Sequence, residues 1–375
     1  MQENPLIKLE SFGQSIWMDF ISRGVLTSGQ LKKWIDEDGV SGVTSNPSIF
    51  EKAITGTRDY DDAIQALVKQ GKTAAEIYDS LTISDIQQAA DVFRPVFERT
   101  RGADGFVSIE VSPYLADNTE GSIHEARRLW KLVDRPNVMI KIPGTKEGLP
   151  AIRQMISEGV NINITLLFGI PRYKEVIEAY MSGLEDRAAK GLPLQDISSV
   201  ASFFLSRIDV LVDPLLANLA AHHSHETEDL ARSLQGEAAI ASARIAYQEF
   251  KKSLQGKRWA ALAEKGARKQ RVLWASTSTK NPAYSDVKYV EPLIGSDSIN
   301  TVPIETLNAY RDHGQPALRI NEEVKHAHKV MEDLAELKLN IDAVTQELED
   351  EGVEKFSFAY QQLLAKLEEK VRAAA

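Results

Sequence analysis

Apolar and polar positions along this chain follow two rhythms. Short runs rich in Val, Ile, Leu and Phe are punctuated by Gly, Pro or Asn, and they read as strands: "SIWMDF" (15–20), "GVSGVTSN" (39–46), "GFVSIEV" (105–111), "NVMIKI" (137–142), "VNINITLLF" (160–168), "ISSVASFF" (197–204), "RVLWAS" (271–276) and "SINTV" (298–302). Between them lie longer stretches with helical spacing, such as "TSGQLKKWIDED", "SIHEARRLWKLVD", "KEGLPAIRQMISE" and "PRYKEVIEAYMSGLEDRAAK". Eight strands alternating with helices predict an α/β fold, a (β/α)8 TIM barrel. A doubly wound open sheet is the alternative. No glycine-rich dinucleotide fingerprint follows any of the strands, which weakens it. The intervals 47–104 and 208–270 are long enough to hold more than one helix each. The tail from about Asn321 to Ala375, with "FAYQQLLAKLEEKV", reads as further helices packed over a barrel that occupies 1–320.

One strand breaks its own pattern. In "VMIKIPGT" the face shared by Val138, Ile140 and Ile142 is aliphatic, and the opposite face carries Met139 and Lys141. If the aliphatic face meets the helices, Lys141 points into the barrel near the C-terminal end of its strand, where active sites of such barrels lie. A buried ammonium is costly unless it is paired or has lost its proton. The plain alternative is a lysine at a sheet edge with its head in water.

Other strands carry polar groups at the same level. Asp19 closes "SIWMD", Asn46 closes "GVTSN", and Glu110 ends "FVSIE" on a face with Phe106 and Ser108. Asn161, Asn163 and Thr165 share a face of strand five, Ser202 and Phe204 share one of strand six, and Ser276 ends strand seven. Taken singly, each has an ordinary reading: Asn before Pro forms turns, and a strand-end Glu is solvated. Under one fold they converge on one mouth.

That set suits Schiff-base chemistry. A desolvated lysine attacks a carbonyl, and its iminium then serves as an electron sink for breaking or making a carbon–carbon bond. Glu110 is placed to shuttle protons and Asp19 to take the proton of the hydroxyl beside the breaking bond. Asn46, Asn163 and Thr165 supply donors for a polyhydroxylated substrate. Ser202 and Arg207 in "SFFLSRID" supply a donor and a positive charge for a phosphate.

The segments "GVTSNPSIF", "VSIEVSPYLADNT", "VMIKIPGTKEGLPAI", "GVNINITLLF", "SFFLSRID" and "LWASTSTKNPAY" closely resemble transaldolase, in its longer bacterial variety rather than the short fructose-6-phosphate aldolase type. The resemblance runs in barrel order from about residue 15 to 303. It implies Lys141 as the Schiff-base lysine and Glu110 as an acid working through a water with Thr165. It implies Asp19 as the group acting on the donor's C4 hydroxyl, and Asn46 and Asn163 as holders of the dihydroxyacetone unit. Ser202 and Arg207 become phosphate contacts, with Phe204 an aromatic beside the bound chain and Ser276 part of the substrate site. The implied reaction moves dihydroxyacetone from a ketose phosphate such as sedoheptulose 7-phosphate to an aldose phosphate such as glyceraldehyde 3-phosphate, in the non-oxidative pentose phosphate pathway, with no metal or organic cofactor. One departure stands out. Many transaldolases continue strand seven as Ala-Ser-Phe-Arg, whose arginine binds phosphate, whereas this chain has Ala275-Ser276-Thr277-Ser278-Thr279-Lys280. Lys280 is the expected substitute, as a point charge rather than a fork.

Composition narrows the alternatives. The chain has 375 residues, and its net charge of −10 disfavours nucleic acid as a partner while leaving room for a local basic pocket. It contains no cysteine, so thiolate metal sites and disulfides are ruled out. The start "MQENPLIKLESFGQS" lacks the layout of a secretory leader, and no apolar run has the length of a membrane span, so a cytoplasmic enzyme is expected. His222, His223 and His225 in "AHHSHETED" could suit a metal-dependent barrel hydrolase, but a solvated loop is the expected reading. The nearer rivals are a plain aldolase that releases dihydroxyacetone to water, and a sugar-phosphate binder on the same barrel without catalysis.

Overall fold

The computed structural model describes residues 4–222 and 225–374. Eight strands, β1 (Gln14–Met18), β2 (Val40–Val43), β3 (Phe106–Glu110), β4 (Val138–Pro143), β5 (Ile162–Leu167), β6 (Ser199–Phe204), β7 (Arg271–Ala275) and β8 (Ser298–Val302), close in sequence order into one barrel. Every pairing is parallel, including β1 with β8. The predicted (β/α)8 architecture is therefore the observed one, and the open sheet is excluded by the β1–β8 closure.

Several strands are shorter than their apolar runs. Asp19, Phe20 and residues 44–46 lie beyond β1 and β2, and Ser276 lies beyond β7 with φ 53°. The chain leaves the sheet at these points because it must turn toward the next helix. Asn46 does so as the N-cap of helix Pro47–Gly56, its side chain accepting from Ile49 N at 3.0 Å. In β5 the period-two reading fails at its end. Leu166 has φ 58°, and the register against β6 shifts between Ile164 and Leu167.

The barrel is plugged at its N-terminal end. Trp17 Nε1 donates to Asp104 Oδ1 at 2.6 Å, and Arg271 bonds Asp104, Ser15 and the Ser298 carbonyl. A Cβ on Gly42 would lie 2.5 Å from the Trp17 ring, so that indole needs glycine on the neighbouring strand. Asn161 also belongs to this end. It binds the Pro136 and Val138 carbonyls and Ser198 N, which separates it from Asn163 and Thr165 above.

The long intervals hold helices Pro47–Gly56, Asp61–Lys69 and Ala74–Arg99, then Ser206–His222, His225–Ser233, Ala238–Ser253 and Lys257–Glu264. After the barrel, helix Val324–Glu336 packs on Ala238–Ser253. The final helix, Ile341–Ala374, buries Val344, Leu348, Phe356, Leu363 and Leu367 on one side. It crosses the C-terminal face of the barrel from β5 and Ser206–His222 to Pro47–Gly56 and Asp61–Lys69. Arg172–Glu349 (3.2 Å), Lys366–Glu51 (3.0 Å) and Lys370–Asp61 (2.6 Å) tie it along its length. Among the described residues, no helix is long and apolar enough to cross a membrane.

Candidate active site

Register places the chemistry in one layer. Glu110 on β3 is the direct partner of Lys141 on β4, and Lys141 is the partner of Asn163 on β5. The Lys141 side chain is 5% exposed and that of Glu110 3%. Lys141 Nζ donates to the Ser45 carbonyl at 2.8 Å and lies 3.0 Å from Glu110 Oε2. The Glu110 contact is an ion pair without hydrogen-bond geometry. Neither carboxylate oxygen of Glu110, nor Thr165 Oγ1, has a hydrogen-bond partner among the described residues. Glu110 Oε1 and Thr165 Oγ1, buried with no hydrogen-bond partner among the described residues, are expensive for a purely structural core.

Burial pushes the Glu110 carboxyl above its usual range. The Lys141 charge opposes this, and Asp19 adds to it. Burial likewise raises Asp19, against the pull of Lys141 and a hydrogen bond from Thr44. Thr44 Oγ1 lies 2.8 Å from both Asp19 Oδ1 and Thr301 Oγ1, which fixes the carboxylate's orientation. The arrangement thus contains two carboxyls that hold protons more readily than in water, around one amine.

A cleft of about 410 Å³ opens above this layer at the C-terminal end of the strands. Asp19, Asn46, Lys141 and Thr165 reach it from β1, β2, β4 and β5 or the turns just after them. Ser202, Phe204, Arg207, Ser276 and Lys280 line it from the second half of the barrel. Two predicted residues sit lower. Glu110 lies under the floor beside Lys141. Asn163 is fully buried, donating to Ser108 Oγ at 3.0 Å and accepting from Ser202 Oγ at 2.7 Å.

The phosphate candidates gather on one side. Arg207, in the first turn of Ser206–His222, has Nη1 buried without a partner, and its guanidinium stands 5.9 Å from the Phe204 ring centre. Burial pulls its pKa below the ordinary arginine value, with Glu351 of the final helix and Asp19 opposing. Phe204 in turn packs on Phe168, with ring centres 5.2 Å apart. Ser276 Oγ and Ser206 Oγ lie 3.0 Å apart, joining the ends of β7 and β6. Lys280 Nζ donates to Ser278 Oγ at the cleft wall.

Sequence reasoning missed several members. Thr44 and Thr301 carried a signal, being polar ends of predicted strands. Ser45 offers its carbonyl to Lys141, while its hydroxyl donates to the Ser108 carbonyl at 2.7 Å. Lys52, Glu305 and Phe356 line the cleft from helices, and Phe356 comes from the final helix, far along the chain from Lys141. Of the histidine cluster, two members are described, and both are helical rather than in a loop. His222 ends one helix, with Nδ1 2.9 Å from the Asn218 carbonyl, and His225 begins the next; both are exposed. His223 lies outside the described residues. Among the described residues no group of three or more His, Cys, Asp or Glu could hold a metal ion.

A profile of the Transaldolase/Fructose-6-phosphate aldolase family matches residues 16–367. Similar full-length proteins include "Transaldolase" of Trichodesmium erythraeum, 50% identical over 99% of both chains, and "Transaldolase 2" of Nostoc sp., 48% identical over 99% of both. "Transaldolase" of Thiobacillus denitrificans is 47% identical over 95% of this chain and 97% of its own. With the barrel closed and a buried lysine paired to a glutamate at its mouth, the chain belongs to the transaldolase/fructose-6-phosphate aldolase family.

Proposed function

We propose that this protein is a transaldolase in the cytoplasm, which moves a dihydroxyacetone unit between sugar phosphates through a Schiff base on Lys141. The observation that carries the reading is the buried Lys141–Glu110 pair, 3.0 Å apart at the mouth of the barrel. The full-length relatives carry the name transaldolase, which favours transfer over release of free dihydroxyacetone.

Attack on a carbonyl needs Lys141 as the free amine, and Glu110 lies 3.0 Å away to take its proton. Substrate entry excludes water and makes charge on either group costlier, and proton transfer across the contact yields the nucleophilic amine and an uncharged acid. The raised affinity of Glu110 for protons makes it a fitting recipient. The amine adds to C2 of the ketose, and the carbinolamine loses water with Glu110 supplying the proton, relayed through a water held by Thr165. Asp19 then removes the C4 hydroxyl proton. The C3–C4 bond breaks, its electrons pass into the iminium, and an enamine remains on Lys141 while the shortened aldehyde leaves. An acceptor aldose reverses these steps. Asn46 and Asn163 hold the dihydroxyacetone hydroxyls, with Asn163 held in turn by Ser108 and Ser202. Ser202, Arg207 and Lys280 hold the phosphate, with Ser276 beside them in the substrate site.

The test is borohydride reduction in the presence of fructose 6-phosphate, followed by peptide mass spectrometry. A reduced dihydroxyacetone adduct on the Lys141 peptide is expected. Its absence from active enzyme would sink the assignment. Turnover that proceeds without an acceptor aldose would instead indicate a simple aldolase on the same lysine.

A further inference from the structure

The cations of the cleft do not lie on one side. Arg207 and Lys280 follow β6 and β7, whereas Lys52 lies on helix Pro47–Gly56, which follows β2. In a closed ring of eight strands in sequence order, β2 and β6 are diametrically opposite, and Lys141 on β4 stands midway between them. Ser48, Ile49 and Lys52 all line the cleft, and their spacing puts them on one face of their helix. Lys52 is exposed and has no hydrogen-bond or ion-pair partner among the described residues. Its neighbour Glu51 is taken by Lys366 and Thr55. The acidic groups of the cleft are Asp19, bonded to Thr44, and Glu305 beyond β8. Lys52 is therefore a cleft cation without an ion-pair partner among the described residues.

This placement bears on the two arms of a bound ketose, and the inference rests on the Schiff-base reading above. With C2 on Lys141 and the terminal phosphate at Arg207, the C1 arm points away from β6. It runs toward the loop after β2, where Asn46 meets it first and Lys52 stands one to two turns further along. An unphosphorylated C1 hydroxyl ends at Asn46 and gives the ammonium nothing to bind. A C1 phosphate extends into its reach, and a phosphate dianion is the ligand an unpaired ammonium at a cleft rim attracts most strongly.

We propose that Lys52 forms a second phosphate subsite, so that the enzyme binds 1-phosphorylated ketoses, dihydroxyacetone phosphate being the smallest. The bound ketone forms the same Schiff base: the Lys141 amine adds to its carbonyl carbon, water leaves, and the phosphate ester stays intact. Dihydroxyacetone phosphate then competes with fructose 6-phosphate for the lysine.

The experiment measures inhibition of fructose 6-phosphate turnover, with erythrose 4-phosphate as acceptor, by added dihydroxyacetone phosphate. It uses the wild type, Lys52→Gln and Lys52→Arg. Competitive inhibition is expected in the wild type, with the inhibition constant raised about tenfold in Lys52→Gln and largely kept in Lys52→Arg. Borohydride should leave a phosphorylated three-carbon adduct on the Lys141 peptide, depleted in Lys52→Gln at limiting ligand. Equal inhibition of wild type and Lys52→Gln would overturn the proposal, because the phosphate would then be lodging at Arg207. No inhibition of the wild type would overturn it as well. Trapping with fructose 6-phosphate in the same variants separates this outcome from failure of the Schiff-base reading, since that adduct requires Lys141 and not Lys52.

Discussion

Lys141 and Glu110 are buried cross-strand partners whose side chains meet at 3.0 Å beneath the cleft. A pair so placed stabilises little, because the cost of desolvating both charges offsets their attraction. What it provides is a proton acceptor next to the amine. Glu110→Gln removes the acceptor and keeps the shape. The expected loss in kcat is about 10²- to 10⁴-fold. Schiff-base trapping should slow in parallel, and circular dichroism should show an unchanged fold. Slow turnover with fast trapping would place Glu110 after iminium formation instead.

Asp19 links stability to pH. Its folded pKa is raised, so the native state binds the proton more tightly than the unfolded chain. Native stability therefore falls as pH rises from the ordinary aspartate range through the raised value, and it stays lower above it. Asp19→Asn removes that cost and keeps an oxygen for the Thr44 hydroxyl. The expected result is an inactive protein with a higher Tm than the wild type at about pH 8, the gap closing toward about pH 4. Calorimetry across that range reads it directly, and a lower Tm at pH 8 would contradict the sign.

Arg207 presents a fork, of which Nη1 is buried and unpartnered. Arg207→Lys keeps the charge and loses the fork. KM for phosphorylated substrates should rise about 10- to 100-fold with a smaller change in kcat. Lys280→Met, removing a point charge at the rim, should raise KM only a fewfold. Steady-state kinetics of both variants rank the two cations, and a larger effect at Lys280 would make it the main phosphate contact.

Gly352 of the final helix lies against Leu166. A Cβ there would stand 2.9 Å from Leu166 Cδ2, and Leu166 already holds φ 58° at the end of β5. Gly352→Val should push the helix off the mouth and move Phe356 from the cleft. The expected signature is a higher KM, with a destabilisation of about 1–3 kcal/mol in denaturant unfolding. An unchanged KM would show that Phe356 is dispensable to substrate binding.

What could be seen in the sequence was whatever broke a local pattern. Lys141 stood out because an ammonium interrupts an apolar strand, and Glu110 and Asp19 because they end strands of the same parity. The barrel order followed from eight strand-like runs separated by helical spacing. The rest depended on contacts between distant segments. Nothing local marks Phe356, whose position over the cleft is set by how a later helix packs. Lys52 resembles any solvated helical lysine until the helix's place on the ring is known. The turn of Leu166 was hidden because leucine gives no cue for a left-handed backbone. Asn161 and Asn163 looked equivalent by period, and only the strand register put one at the plug and the other under the site.

The bond from Lys370 to Asp61 joins residues 309 positions apart, so a helix made after all eight strands fastens the first half of the barrel. During synthesis the strands and their helices emerge and associate first, while the segment bearing Phe356 is still being added. Until that segment docks, Lys141 sits in a cleft that lacks its Phe356 wall. The wall that Phe356 supplies to the cleft therefore waits on the docking of a helix made after all eight strands.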